Sequence, residues 1–163
     1  MKNQTGVGLV EVLVALILLA IAVLGFTALQ VRALSASHEA SQNVQAMNIA
    51  RDITERMRIN RTGLAGFEQA AASSAVDCST TFCSNAQMAR YDFADASARA
   101  AAQGMNIAVL DCQGGNASFK RKCVYVAWDK TTPTDGAAAT DCTNGTAYHA
   151  NAQCIIMETY NYD

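Results

Sequence analysis

Proline is nearly missing from this 163-residue chain: Pro133 is its only occurrence, so no proline breaks a helix anywhere in the first 132 residues. Charge is also scarce. Charged residues make up 16% and the net charge is −2, which excludes a global field drawing the chain to nucleic acid or anionic lipid. Histidine occurs twice, at His38 and His149, and no GxSxG, Walker A or HExxH pattern is present. The usual signatures of a hydrolase, a phosphate-binding loop and a zinc protease are therefore lacking, and an enzyme is not expected. Cysteine is absent from the first 77 residues, after which six fall between Cys78 and Cys154. That placement fits a domain exported from the reducing cytoplasm and closed by disulfides.

What is present in excess is apolar sequence, concentrated near the N-terminus. Residues 1–6 (MKNQTG) are polar and carry the single Lys2; Val7 to Leu29 makes 23 residues, and Val12 to Phe26 is unbroken apolar chain. As a helix of about 1.5 Å per residue, 23 residues reach about 35 Å, enough to cross a hydrocarbon layer. One residue disagrees. Glu11 stands four residues into the run, where a carboxylate costs about 2.5–3.5 kcal/mol at a bilayer centre and less toward the ends.

Three readings compete for this segment. A secretory signal peptide needs a basic start, a shorter apolar core and a small-residue cleavage site. "ALSAS" (33–37) supplies the last, but only one lysine precedes the run. An ordinary single-span anchor explains the length and leaves Glu11 without a reason. The third reading has the chain cut after Gly6, so that Val7 carries a free, positive α-amine and Glu11 becomes the fifth residue. The acid of one helix then pairs with the amine of an adjacent copy of the same kind. In low dielectric that pairing sets axial register between helices and offsets part of the cost of burying both charges.

Beyond the run, residues 30 to about 60 turn polar without any glycine or proline, so one helix of about 50 residues is expected, ending near "RTGLAGF" (61–67) with Gly63 and Gly66 as stop signals. Ala46, Ile49, Ala50, Ile53 and Met57 share one face at helical spacing, as on a helix docked on a globular head. The expected division is a leader (1–6), a membrane and assembly half of the helix (7–30), a polar half packed on the head (31–60), and a head (61–163). In the head, β-type runs occur at Asn106–Leu110, Lys122–Trp128 and Cys154–Tyr160; 91–104 reads as a short helix and 130–153 as an extended loop. Six cysteines pair in fifteen ways, among which sequence does not choose. Neighbouring pairs, Cys78–Cys83, Cys112–Cys123 and Cys142–Cys154, are the expectation, each stabilising by about 2–3 kcal/mol. His149 between Cys142 and Cys154 lacks the CxxC spacing of a metal site, and no metal or cofactor is expected. "CQGGNASFKRKC" (112–123) places Lys120, Arg121 and Lys122 at a hairpin tip, read as exposed charge or as a small anion- or DNA-contact patch.

"G-VGLVEVLVAL" (6–16) resembles the leader signal of type IV pilins and pseudopilins: a glycine, apolar residues, then a glutamate at the fifth mature position. The resemblance implies cleavage by a prepilin peptidase at Gly6, N-methylation of Val7 and use of Glu11 as the register acid when the helix polymerises. Valine stands at the position where the family usually has phenylalanine. "ARDITERMRINRTG" (50–63) and "CVYVAWDK" (123–130) are similar to stretches of minor pilins of the PilV type. They imply a low-abundance subunit that primes pilus assembly in the inner membrane with its head in the periplasm and ends at or near the tip, supporting adhesion, twitching motility or DNA uptake. The implied partners are other minor pilins, the major pilin, the prepilin peptidase and the inner-membrane assembly machinery; contact with nucleic acid is left open. A type II secretion pseudopilin shares Gly6 and Glu11, and a secreted binding module is the reading of another class. The fold expected on all of this is α+β: a long N-terminal α-helix packed on a small antiparallel β-sheet head with disulfides.

Overall fold

The computed structural model describes residues 6, 8–68, 76–113 and 121–160. Helix α1 runs Leu9–Ile59; a 3-10 turn at Arg61–Gly63 and a short helix α2 (Leu64–Glu68) follow, then helix α3 (Asn85–Ala102) and strands β1 (Met105–Asp111), β2 (Arg121–Trp128), β3 (Thr132–Asp135), β4 (Asp141–Thr143) and β5 (Cys154–Tyr160). Two compact units divide the chain, one up to Gln42 and one from Asn43 on, so α1 contributes to both. The fold is α+β, as expected for a long apolar helix joined to a disulfide-bonded antiparallel sheet.

The second unit is built around β2. The sheet order is β1-β2-β5, antiparallel throughout, and β2 is buried along Cys123–Trp128 because both of its faces are covered. On one face Val124, Val126 and Trp128 join Met105, Ile107 and Val109 of β1 and pack against Ala46, Ala50, Ile53 and Met57 of α1, Phe67 of α2, and Ala89, Phe93, Ala96 and Ala100 of α3. The face of α1 read from the sequence is the one that docks, with Ile49 half-buried at its rim. The buried alanines of α3 let it approach β1 closely, and Phe67 is fully buried in the same core. On the far face Cys123 and Tyr125 pack with Cys142, Ala108, Leu110 and Ile156.

Three expectations need correction. First, α3 starts at Asn85, ahead of the expected start at Tyr91. The signal was a capping box: Ser84 Oγ accepts from the Gln87 backbone N–H at 3.3 Å, while the Ser84 N–H donates to the Gln87 side chain at 2.9 Å. Second, 130–153 is not simply a loop, for β3 and β4 pair within it in a short, irregular parallel ladder. Its order comes from side chains gripping the backbone in place of apolar alternation. Asp141 accepts from Thr134 Oγ1 at 2.6 Å and from the Ala138 N–H at 2.9 Å, and Asp135 accepts from the Gly145 N–H at 2.7 Å. Third, Gly63 and Gly66 do not act as left-handed stops. They are points of close approach to α3. A Cβ on Gly66 would lie 2.7 Å from both the Ala86 carbonyl oxygen and the Ala89 Cβ. Gly66→Ala is therefore expected to lower the stability of this unit by about 1–3 kcal/mol, read from the denaturant midpoint, without altering the apolar half of α1.

Disulfides join Cys78–Cys83, Cys112–Cys123 and Cys142–Cys154, with Cα atoms 5.7, 5.0 and 6.0 Å apart. The first closes a surface loop ahead of α3. The second crosses from the end of β1 to β2, and the third ties β4 to β5 across the far face.

Candidate functional site: the apolar helix and the docked helix end

Every described residue of α1 from Leu9 to Ser41 is exposed. Leu9, Leu24 and Leu34 remain 78%, 69% and 71% accessible, values that water would not tolerate across so long a surface. The helix is long and apolar enough to cross a membrane. From Val12 to Val31 it carries no charge, the next being Arg32. Its apolar residues run all round the helix, which makes it a surface for lipid or for other helices of the same kind.

Glu11 lies in the first turn of α1 with its side chain exposed. The Gly8 carbonyl accepts from the Glu11 and Val12 N–H groups at 3.0 and 3.3 Å, so the turn is closed around the acid. A negative side chain there sits at the positive end of the helix dipole, among backbone N–H groups that have no partner inside the helix. Gly6 is exposed, with no described atom within 4 Å of where its Cβ would be. Val7 lies outside the described residues.

The upper end of α1 carries a feature the sequence reading missed. Asp52 and Arg56, four residues apart, pair along the helix at 3.1 Å, but both reach α3 as well. Arg56 meets Asp92 at 2.5 Å and Asp95 at 3.5 Å, and Arg99 meets Asp52 at 2.5 Å and Asp95 at 3.2 Å. The available signal was the i,i+3 and i,i+4 series Asp92, Asp95, Arg99, which puts one charged face on α3. Beside the network is an open groove of about 400 Å³ lined by Gln45, Asn48, Ile49, Asp52, Arg99 and Gln103.

Burial alone would raise the Asp52 carboxyl, but hydrogen bonds from Arg56 and Arg99 outweigh it and hold the group below its ordinary value of 3.8. A carboxylate depressed by folding contributes stability that is present above its unfolded pKa and is lost as pH falls through the folded one. Lys122 shows the opposite case: burial would lower it, yet Asp111 and Glu68 raise it above 10.5, so its contribution is lost only as pH rises beyond that value. Stability of the second unit is therefore expected to be flat between these limits. Asp52→Asn should remove part of the loss below pH 4 at a neutral-pH cost of about 1 kcal/mol or less, because the pairs are half-exposed. Thermal midpoints taken across pH check both statements.

The basic patch at 112–123 dissolves on inspection of its partners. Arg121 pairs with Glu158 at 2.6 Å, and Lys122 pairs with Glu68 at 2.7 Å and with Asp111, while Lys120 lies outside the described residues. Neither described cation is left for a phosphate. His149 is half-buried, with Nε2 2.9 Å from the Gly136 carbonyl oxygen. Cys142 and Cys154 on either side of it are consumed by their disulfide. Among the described residues no group of three or more acidic, cysteine or histidine side chains gathers as a metal site would require.

Two family models match adjoining parts of the chain. Residues 1–27 match the prokaryotic N-terminal methylation motif, and residues 28–94 match the Tt1218-like family, described as type IV pilin Tt1218. No curated protein and no solved structure matches.

Proposed function

We propose that this chain, whose residues 1–27 match the N-terminal methylation motif and 28–94 a type IV pilin model, is a minor pilin of the PilV type that helps to start assembly of a type IV pilus and sits at or near its tip. One observation carries the pilin reading furthest: a single carboxylate, Glu11, in the first turn of a helix whose exposed stretch up to Val31 carries no other charge and is long enough to cross a membrane, within the segment that matches the methylation motif. Prepilin peptidase cuts after Gly6, Val7 becomes the methylated terminus, and the amine created pairs with Glu11 of an adjacent helix. Before assembly the helix is anchored in the inner membrane; afterwards it lies among other pilin helices in the filament.

The minor role and the tip position are supported by the similarity of "ARDITERMRINRTG" and "CVYVAWDK" to minor pilins. A head tied by three disulfides suits a subunit exposed outside the cell. Adhesion, twitching motility or DNA uptake would follow from the assembled pilus and not from chemistry at this subunit. A pseudopilin of a type II secretion system is the second reading, since Gly6 and Glu11 serve it equally.

Mass spectrometry of the chain recovered from cells tests the processing. The expected N-terminus is Val7 bearing one methyl group. A mature start near Ala36 would instead identify a secreted protein with an ordinary signal peptide, and a retained hexapeptide in filament-bound protein would end the pilin reading.

A further inference from the structure

Among the described residues, no strand pairs with the outer edge of β5. In an antiparallel ladder bonded pairs alternate with non-bonded ones. The Trp128 N–H donates to the Gln153 carbonyl at 3.0 Å, which marks that pair as bonded and continues the pattern to Val126–Ile155 and Val124–Met157 in the observed register. Cys154, Ile156 and Glu158 therefore turn their N–H and C=O groups away from β2. Among the described residues no backbone group pairs with them. Proteins usually blunt such an edge with lysine, proline, a bulge or a very short strand. Here β5 spans Cys154–Tyr160 with unbroken register and no lysine or proline, and its one charge, Glu158, is held by Arg121 at 2.6 Å. Apolar side chains are left half-covered on both faces: Ile155 and Met157 toward the helices, Ile156 toward the far layer.

We infer that this edge receives an extended strand from a neighbouring, different chain of the assembly, which extends the β1-β2-β5 sheet by one strand. Outward-facing donors and acceptors two residues apart are matched by an extended backbone and by little else. Half-buried apolar residues on both faces call for an incoming strand with apolar residues at successive positions, completing both layers at once. The choice of a different chain rests on the pilin reading. The Glu11-to-amine contact is head-to-tail, and a contact that propagates along a filament joins unlike surfaces, whereas β5 pairing with β5 of a second copy closes a two-fold pair. One added strand is a small contact, and anchorage of both chains in one membrane raises its effective concentration.

Amide exchange on the full-length chain tests this in two states: isolated in detergent, and within native membranes and sheared filaments. The N–H groups of Cys154, Ile156 and Glu158 are expected to exchange at least about tenfold more slowly in the assembled state, while those of Ile155 and Met157, already bonded to β2, change little. Equal rates at the three outward amides in both states overturn the proposal. So does slowing that appears in detergent as the chain's own concentration and mass rise together, which would assign the edge to a second copy. A pair of variants gives a second reading. Ile156→Ala and Ile156→Pro both lose the side chain, but only proline removes the outward N–H, and it leaves the bonds to β2 intact. Ile156→Pro is expected to cut incorporation about tenfold below Ile156→Ala; equal incorporation of the two folded variants overturns the proposal, and exchange on the unmodified chain decides if the proline variant does not fold. Failure here with normal Val7 processing leaves the pilin reading standing.

Discussion

Glu11→Ala is expected to insert in the membrane as well as the unmodified chain, or better, and to lose most of its incorporation into filaments. Insertion improves because a carboxylate in lipid costs up to about 2.5–3.5 kcal/mol and alanine does not. Incorporation falls because the positive amine of the neighbouring helix loses its partner, and an unpaired charge left in low dielectric is penalised by several kcal/mol. The uncharged run from Val12 to Val31 offers no substitute acid within the same depth. Glu11→Gln separates charge from size: the amide keeps the shape and a hydrogen-bonding group, and is expected to incorporate nearly as poorly as alanine. Quantitative immunoblots of membrane and sheared-filament fractions measure both quantities. Normal incorporation of either variant would show that register is set by the apolar packing of the helices alone.

Replacing Cys142 and Cys154 together by serine is expected to destabilise the second unit by about 2–5 kcal/mol, a large share of the 5–15 kcal/mol typical of a domain. Cys142 is fully buried beneath the far face of β2, and the disulfide pins the β3–β4 layer that covers Tyr125. That layer has few apolar side chains of its own, so without the bridge its order depends on Asp135, Asp141 and the 2.9 Å contact of His149 with Gly136. Burial pushes the Tyr125 hydroxyl above its ordinary value of 10.0, against hydrogen bonds with Thr143 and Gln113 that lower it. Loss of the cover should expose this group, seen as earlier ionisation in an alkaline titration. Removing Cys78 and Cys83 should cost less, because that bridge closes a loop of five-residue separation at the surface and holds down no other layer. Denaturant unfolding of the two double variants orders them; equal losses would mean that the far layer does not depend on its clamp.

Sequence alone exposed the parts of this fold that rest on periodicity. The α1 face of Ala46, Ile49, Ala50, Ile53 and Met57 follows the helical period over three turns, and β1, β2 and β5 are dense in branched and aromatic residues. The parts that escaped depend on contacts between distant residues. β3 and β4 have no apolar alternation, since aspartate and threonine side chains order their backbone. The start of α3 hid in polar residues because a capping box reads as loop until the helix behind it is known. Gly63 and Gly66 looked like helix terminators, and their reason is the backbone of α3 lying against them, which no local pattern reveals. The candidate site divides the same way. Glu11 stood out as the one charge in an apolar run, whereas the Asp52–Arg56–Asp92–Asp95–Arg99 network needed two helices brought side by side.

Carbodiimide treatment of filaments, followed by mass spectrometry of the digested product, tests the pairing of Glu11 most directly, because the reagent joins a carboxyl to an amine only where the two are in contact. The expected product is an amide between the Glu11 carboxyl of this chain and the N-terminal amine of a different chain, with ion-pair separation of about 4 Å or less before reaction. Filaments that contain the chain, react elsewhere, and leave Glu11 free or joined only to its own terminus would contradict the account.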